Sequence, residues 1–91
     1  MRFIWDPNKA DRNRQRHRVS FEEAMEAFFD PNAVDNYDAS HSGRETRFNL
    51  IGLSSRRLLF VVYTELEEGV IRIISARKAE GKQQRIYEYP N

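Results

Sequence analysis

The sequence predicts a small α+β domain: a twisted, mainly antiparallel sheet of four or five strands, two N-terminal helices on one side of it, and a short C-terminal helix. Two features predict the sheet and the helices. The β-branched runs Leu58–Thr64 (LLFVVYT) and Val70–Arg77 (VIRIISAR) flank the turn signal Glu67-Glu68-Gly69 and so read as a hairpin. Ahead of them, the first thirty residues carry two helix starts with capping chemistry. The 91-residue chain is read as a single domain, 1–91, with a small core; about 60–65% of the unfolded surface is buried at this size.

Met1–Trp5 is a short β-prone run. Asp6-Pro7 then opens a helix, Asp6 as N-cap and Pro7 at the first helical position, where its missing N–H costs nothing. The helix is expected to run to about His17. Lys9, Arg12, Asn13, Arg16 and His17 recur at the spacing a core helix reserves for apolar residues, and Ala10 is the sole apolar residue after Pro7. Two readings fit this pattern: a solvated outer helix held by salt links, or a cationic stripe facing a phosphodiester backbone.

Ser20 with Glu23 forms a capping-box signature for a second helix. Phe21, Ala24, Ala27 and Phe28 give it a core stripe, with Glu22, Glu23 and Glu26 assigned to the outer face. Pro31 sets its end near Asp30. A short strand around Ala33–Tyr37 and a polar loop containing His41 follow, the histidine read as solvated. Thr46–Leu53 is the next strand, with Gly52 marking a bulge or a close backbone approach. In Val70–Arg77, strict alternation puts Val70, Arg72, Ile74 and Ala76 on one face and Ile71, Ile73, Ser75 and Arg77 on the other. Lys78–Tyr89 reads as a last helix, weakened by Gly81 and ended by Pro90.

The net charge of +1 conceals segregation. Residues 1–18 hold six basic and two acidic side chains (+4), residues 19–45 one and seven (−6), and residues 46–91 eight and five (+3). Basic surface suits a polyanion, and acidic surface a basic protein. With no cysteine there is no disulfide framework and no thiolate metal site. No apolar run approaches a membrane span and the N-terminus lacks a signal-peptide core, so the reading is of a cytoplasmic protein with no membrane partner.

Four stretches together resemble the BrnT family of toxins from bacterial type II toxin–antitoxin pairs. They are WDPNKA with Asn13 and His17 at helical spacing; VSFEEA ending in FFDP; GRETRF before IGL; and VVYT followed by RIISARKA and Tyr87. The polar motif positions fall on Asp6, Lys9, Asn13, His17, Arg44, Arg47, Arg72, Ser75, Arg77 and Tyr87. Arg18 departs from the pattern, which has a small residue such as glycine between the helices. The resemblance implies a RelE-like fold and a ribonuclease that arrests translation. It also implies neutralisation by a BrnA-type antitoxin, through whose DNA-binding part alone the complex would meet DNA.

RNA cleavage by its own 2′-OH needs a base, an acid and cations around the phosphorane, and no metal or other cofactor. The expected catalytic set is His17, Lys9, Arg72 and Arg77. His17 serves as acid or base because imidazole titrates near neutrality. Arg72 and Arg77 serve as clamps, donors of this kind being worth roughly 3–4 kcal/mol each. Arg12, Arg16, Arg44 and Arg47 would bind RNA phosphates, and Tyr87 or Tyr63 would stack on a base. Glu45 is a second candidate base. The structural alternatives are that Arg72 pairs with an acid of the second helix, His17 bonds a backbone carbonyl, Tyr63 is core and Ser75 packs within its strand. Two other functions fit the same sequence: a non-cleaving toxin of the topoisomerase-poison kind, and an interaction module whose basic helix docks an acidic partner.

Overall fold

The computed structural model describes residues 1–41, Gly43 and 45–90, with His41 described in its backbone alone. Five strands form one sheet in the order β1-β5-β4-β3-β2. They are β1 (Arg2–Ile4), β2 (Val34–Tyr37), β3 (Arg47–Leu53), β4 (Leu58–Glu67) and β5 (Val70–Lys78). β1 runs parallel to β5 and the other neighbours are antiparallel. The helices are α1 (Pro7–His17), α2 (Phe21–Ala27) and α3 (Gly81–Glu88). None of them is long and apolar enough to cross a membrane.

Local chemistry explains the helix ends. Asp6 accepts from the Asn8 N–H at 2.9 Å, and Pro7 stands at the first helical position. α1 stops at Arg18, whose φ of 60° is left-handed while its N–H still reaches the Arg14 carbonyl at 2.9 Å. Glycine takes that conformation without the Cβ conflict an arginine meets. α2 ends at Ala27, short of the expected Asp30. Phe28 and Phe29 donate to carbonyls three residues back, at 3.1 Å each, so the last turn tightens out of α geometry.

The core lies between α2 and one face of the sheet. Phe21, Ala24 and Ala27 pack on Leu50, Leu59, Val61, Ile73 and Ala76, with Val19 beside them. Gly52 is a close approach: a Cβ there would stand 2.6 Å from the Ala27 carbonyl oxygen.

Two side chains occupy places that local pattern does not give them. The sequence puts Glu23 on the outer face of α2, but it is buried. Its carboxylate accepts from Arg57 at 2.8 and 3.0 Å and from the Ser54 hydroxyl at 2.7 Å, while Arg57 also donates to the Arg18 carbonyl at 2.8 Å. The β3–β4 turn is thus clamped to α2 and to the α1–α2 joint. In the capping box, Ser20 does accept from the Glu23 N–H at 3.0 Å, but the Glu23 carboxylate is committed to Arg57.

The second change is in β5. Val62 pairs with Ser75 and Tyr63 with Ile73, leaving Ile74 as the extra residue of a β-bulge. The bulge shifts the side-chain phase. Ile71, Ile73 and Ala76 lie on the core face, and Arg72, Ser75 and Arg77 share the other, opposite Thr64, Val62 and Phe60. Strict alternation separates the two arginines; the inserted residue puts them on one face.

Two predictions follow from the clamp and the joint. Hydrogen bonding by Arg57, ahead of the opposing cost of burial, holds the Glu23 carboxyl below its ordinary 4.5. Its contribution to stability is therefore complete above about pH 4.5 and is lost as pH falls through the lower folded value. Glu23→Gln should cost about 2 kcal/mol at pH 7 and flatten the acid limb of a urea-unfolding series between about pH 3 and 7. An acid limb as steep as the parent's refutes this. Arg18→Gly should raise stability by about 1 kcal/mol in the same assay by relieving the left-handed turn; a loss would show that arginine contacts outweigh the backbone.

Candidate functional site

The candidate site begins with how α1 is held. β1 pairs with Val70–Arg72, so the outer edge of β5 beyond Arg72 needs another partner. Asn13, the one buried residue of α1, supplies it. Its amide donates to the Ala76 carbonyl at 2.8 Å and accepts from the Ala76 N–H at 3.1 Å, as a neighbouring strand would. A second N–H of the amide reaches the Val19 carbonyl at 2.9 Å.

With Asn13 turned inward, its neighbours on the same side of α1 flank the β5 margin. Lys9, Arg12, Gln15, Arg16 and His17 join the bulged Ile74 and Ser75 around a cleft of about 450 Å³, in whose lining there is no carboxylate. A second cleft, of about 290 Å³, shares Arg16 and His17 and continues to Arg77, Lys78 and Glu80. The two form one groove, with His17 where they meet. The Arg77 guanidinium stands 4.6 Å from the Phe60 ring centroid, within cation–π range. It donates to the Lys78 carbonyl at 3.2 Å and lies 3.4 Å from Glu80. Guanidinium N–H groups beyond those two contacts remain for a phosphate.

The other candidate residues lie elsewhere. Arg72 pairs with Glu45, not with an acid of α2, and Glu45 is also 3.4 Å from Arg47. The partners of Arg72 and Arg77, Thr64 and Phe60, are four positions apart on β4, a span of about 13 Å along the strand. The two arginines therefore stand too far apart to meet at one point. Tyr87 donates to Asp30 at 2.7 Å and lines a separate groove with Pro31 and Val34. That bond, with a smaller push from burial, raises its phenol to about 12. Tyr63 is core: burial first, then the nearby Asp35 charge, drives its phenol far above the ordinary value. Arg44 and the His41 side chain lie outside the described residues.

Among the described residues, no three His, Cys, Asp or Glu side chains gather in a way that would hold a metal. Sequence reasoning passed over Gln15 and Glu80, which line the groove, and read Ser75 as packed. The one local signal was the broken alternation Ile73-Ile74-Ser75, where a bulge interrupts period 2.

The family model described as "Ribonuclease toxin, BrnT, of type II toxin-antitoxin system" matches residues 5–83. The fold is similar to that of the Brucella abortus ribonuclease toxin BrnT, solved at 1.1 Å, with a TM-score of 0.69 and 20% identity over 88% of this chain and 97% of that one. At such identity the likeness speaks for the α+β, RelE-like fold alone. No curated protein matches.

Asn13→Ala leaves the buried Ala76 and Val19 groups without their side-chain partner. It should cost about 2–3 kcal/mol in urea unfolding, and the loss of amide-exchange protection should concentrate in α1 and the second half of β5. Stability within about 0.5 kcal/mol of the parent would show that the helix is held by something else.

Proposed function

The chain belongs to the BrnT family, the ribonuclease toxins of type II toxin–antitoxin systems, and from that premise we propose that it is a metal-independent endoribonuclease that arrests translation and is neutralised by a BrnA-type, DNA-binding antitoxin. The observation that carries the reading is the groove in which His17 stands between the cations of α1 and Arg77.

In this proposal the RNA backbone lies along α1, its phosphates neutralised by Lys9, Arg12 and Arg16. The scissile phosphate sits where the clefts join. The 2′-OH attacks the adjacent phosphorus, the P–O5′ bond breaks, and the products are a 2′,3′-cyclic phosphate and a free 5′-OH. His17 moves one of the two protons involved. Arg77, over the Phe60 ring, donates to the phosphorane oxygens, and Lys9 adds charge. Arg72 acts one or more phosphates away, with Arg47 and Arg44 as flanking contacts. Tyr87 offers a stacking surface farther out. Cationic side chains supply the positive charge that a metal supplies in other nucleases, which supports the metal-independent reading.

The test is a defined RNA incubated with the purified chain in EDTA, beside His17→Ala and Arg77→Ala forms with parental circular dichroism. Cleavage should survive chelation and leave 2′,3′-cyclic phosphate ends. The rate should fall about 10²–10⁴-fold in the histidine variant and about 10²–10³-fold in the arginine variant. Activity lost in EDTA and restored by Mg²⁺ would overturn metal independence. Cutting at parental rates in both variants would remove the groove from the chemistry. If free RNA stays intact, the same three proteins on translating ribosomes decide between a ribosome-dependent nuclease and another target.

A further inference from the structure

α2 is seven residues long and covers only part of the core face. Beyond its end the same face carries a connected set of aromatic rings. Phe28 meets Tyr63 edge-on at 5.0 Å, and Tyr63 stacks on Phe48 at 5.5 Å. Tyr37 extends the set at 6.0 Å from Phe48, and Phe29 extends it through Phe3. Phe29 and Tyr37 at its margins are 67% and 58% exposed. The same face holds a groove of about 360 Å³ with Phe28, Leu50, Tyr63 and Ile71 as its floor. Asp35, Glu65 and Met1 also line it; no lysine or arginine does, so two carboxylates stand against the single α-ammonium of Met1. The Tyr63 hydroxyl donates to Asp35 at 3.3 Å, and both carboxylates help to raise its phenol, so the groove is electronegative as well as apolar.

Exposed aromatic side chains beside an apolar groove suit an interaction site. The chemistry selects the occupant. An acidic rim repels RNA and attracts a cation, while an aromatic floor takes aliphatic side chains and the stems of lysine and arginine. We propose that the antitoxin docks in this groove through a segment in which a Lys or Arg is flanked by apolar side chains, the apolar ones on Phe28 and Tyr63 and the cation at the Asp35–Glu65 rim. The surface lies on the opposite side of the sheet from the Arg72 and Arg77 side chains, so neutralisation proceeds without a contact on Arg77. The inference rests on the reading that a type II toxin of this family has an antitoxin partner.

The test measures binding of the full chain to purified cognate BrnA-type antitoxin by titration calorimetry, with RNA cleavage assayed in parallel. Asp35→Asn/Glu65→Gln removes the rim charge and keeps an acceptor for Tyr63; it should weaken binding about tenfold, with the difference shrinking at high salt. Phe29→Ser and Tyr37→Ser should each weaken it by about tenfold while thermal stability and RNA cleavage stay at parental values. His17→Ala and Arg77→Ala should bind within about threefold of the parent. Rim and aromatic variants that bind like the parent overturn the groove as the docking surface. A parent chain that binds no antitoxin overturns the partner reading and the proposal together. Self-association that Phe29→Ser abolishes assigns the face to a second copy of this chain and overturns the antitoxin as its occupant.

Discussion

The placement of α1 depends on one amide. Asn13 meets both the N–H and the carbonyl of Ala76 and so completes an edge of β5 that β1 is too short to reach. A helix with so few apolar residues has little hydrophobic reason to stay on a sheet. What holds it is the cost of leaving buried backbone groups without partners. The same bond turns the helix, because fixing residue 13 inward decides where residues 9, 12, 16 and 17 stand. A basic stripe that would suit any solvated helix becomes one wall of a groove.

The other wall depends on a single inserted residue. Without the bulge at Ile74, Arg72 would project into the core with Ala76 while Arg77 stood on the other face. With it, Ile73 and Ala76 both pack inward and the two arginines share the outer face. Their environments still differ. Arg77 lies on the Phe60 ring and keeps donors free, whereas Arg72 is neutralised by Glu45. The α1 end of that face is therefore strongly cationic, and the Glu45 end is closer to charge balance.

The Arg57–Glu23 clamp closes the arrangement from a third side. It ties the β3–β4 turn to α2 and, through the Arg18 carbonyl, to the joint after α1. The joint accepts a left-handed arginine as part of that geometry. The acidic charge of residues 19–45 is thus partly structural, spent on Arg57 and, through Glu26, on the Ser55 N–H. Another part of it, Asp35, is left at the aromatic face below α2, away from the basic groove. Charge segregation along the chain becomes segregation in space, with the basic groove and the acidic aromatic face on separate surfaces.

Much of this was legible in the sequence, because its causes are local. Caps at Asp6 and Ser20, β-branched runs in β4 and β5 and the Gly69 turn act over a few residues, and they determined the kind and order of the elements. The core stripe of α2, the burial of Tyr63 and the close approach at Gly52 were also readable from pattern, and the spaced motifs together indicated the family. The partners of individual charges were not. Glu23 looked like surface because helical periodicity cannot see Arg57, which arrives from 34 residues away. Arg72 looked for an acid on α2 and found Glu45, and Tyr87 bonds Asp30 across 57 residues. Asn13 looked like one more polar residue of a stripe, because the open edge it completes exists only once β1 and β5 have paired. The face taken by Arg77 rests on a bulge that changes the phase of everything after it. Sequence by itself determined the elements and their chemistry, since propensity and periodicity act along the chain. Tertiary structure decided which side chains meet, since strand register and edge pairing are settled only when distant segments pack.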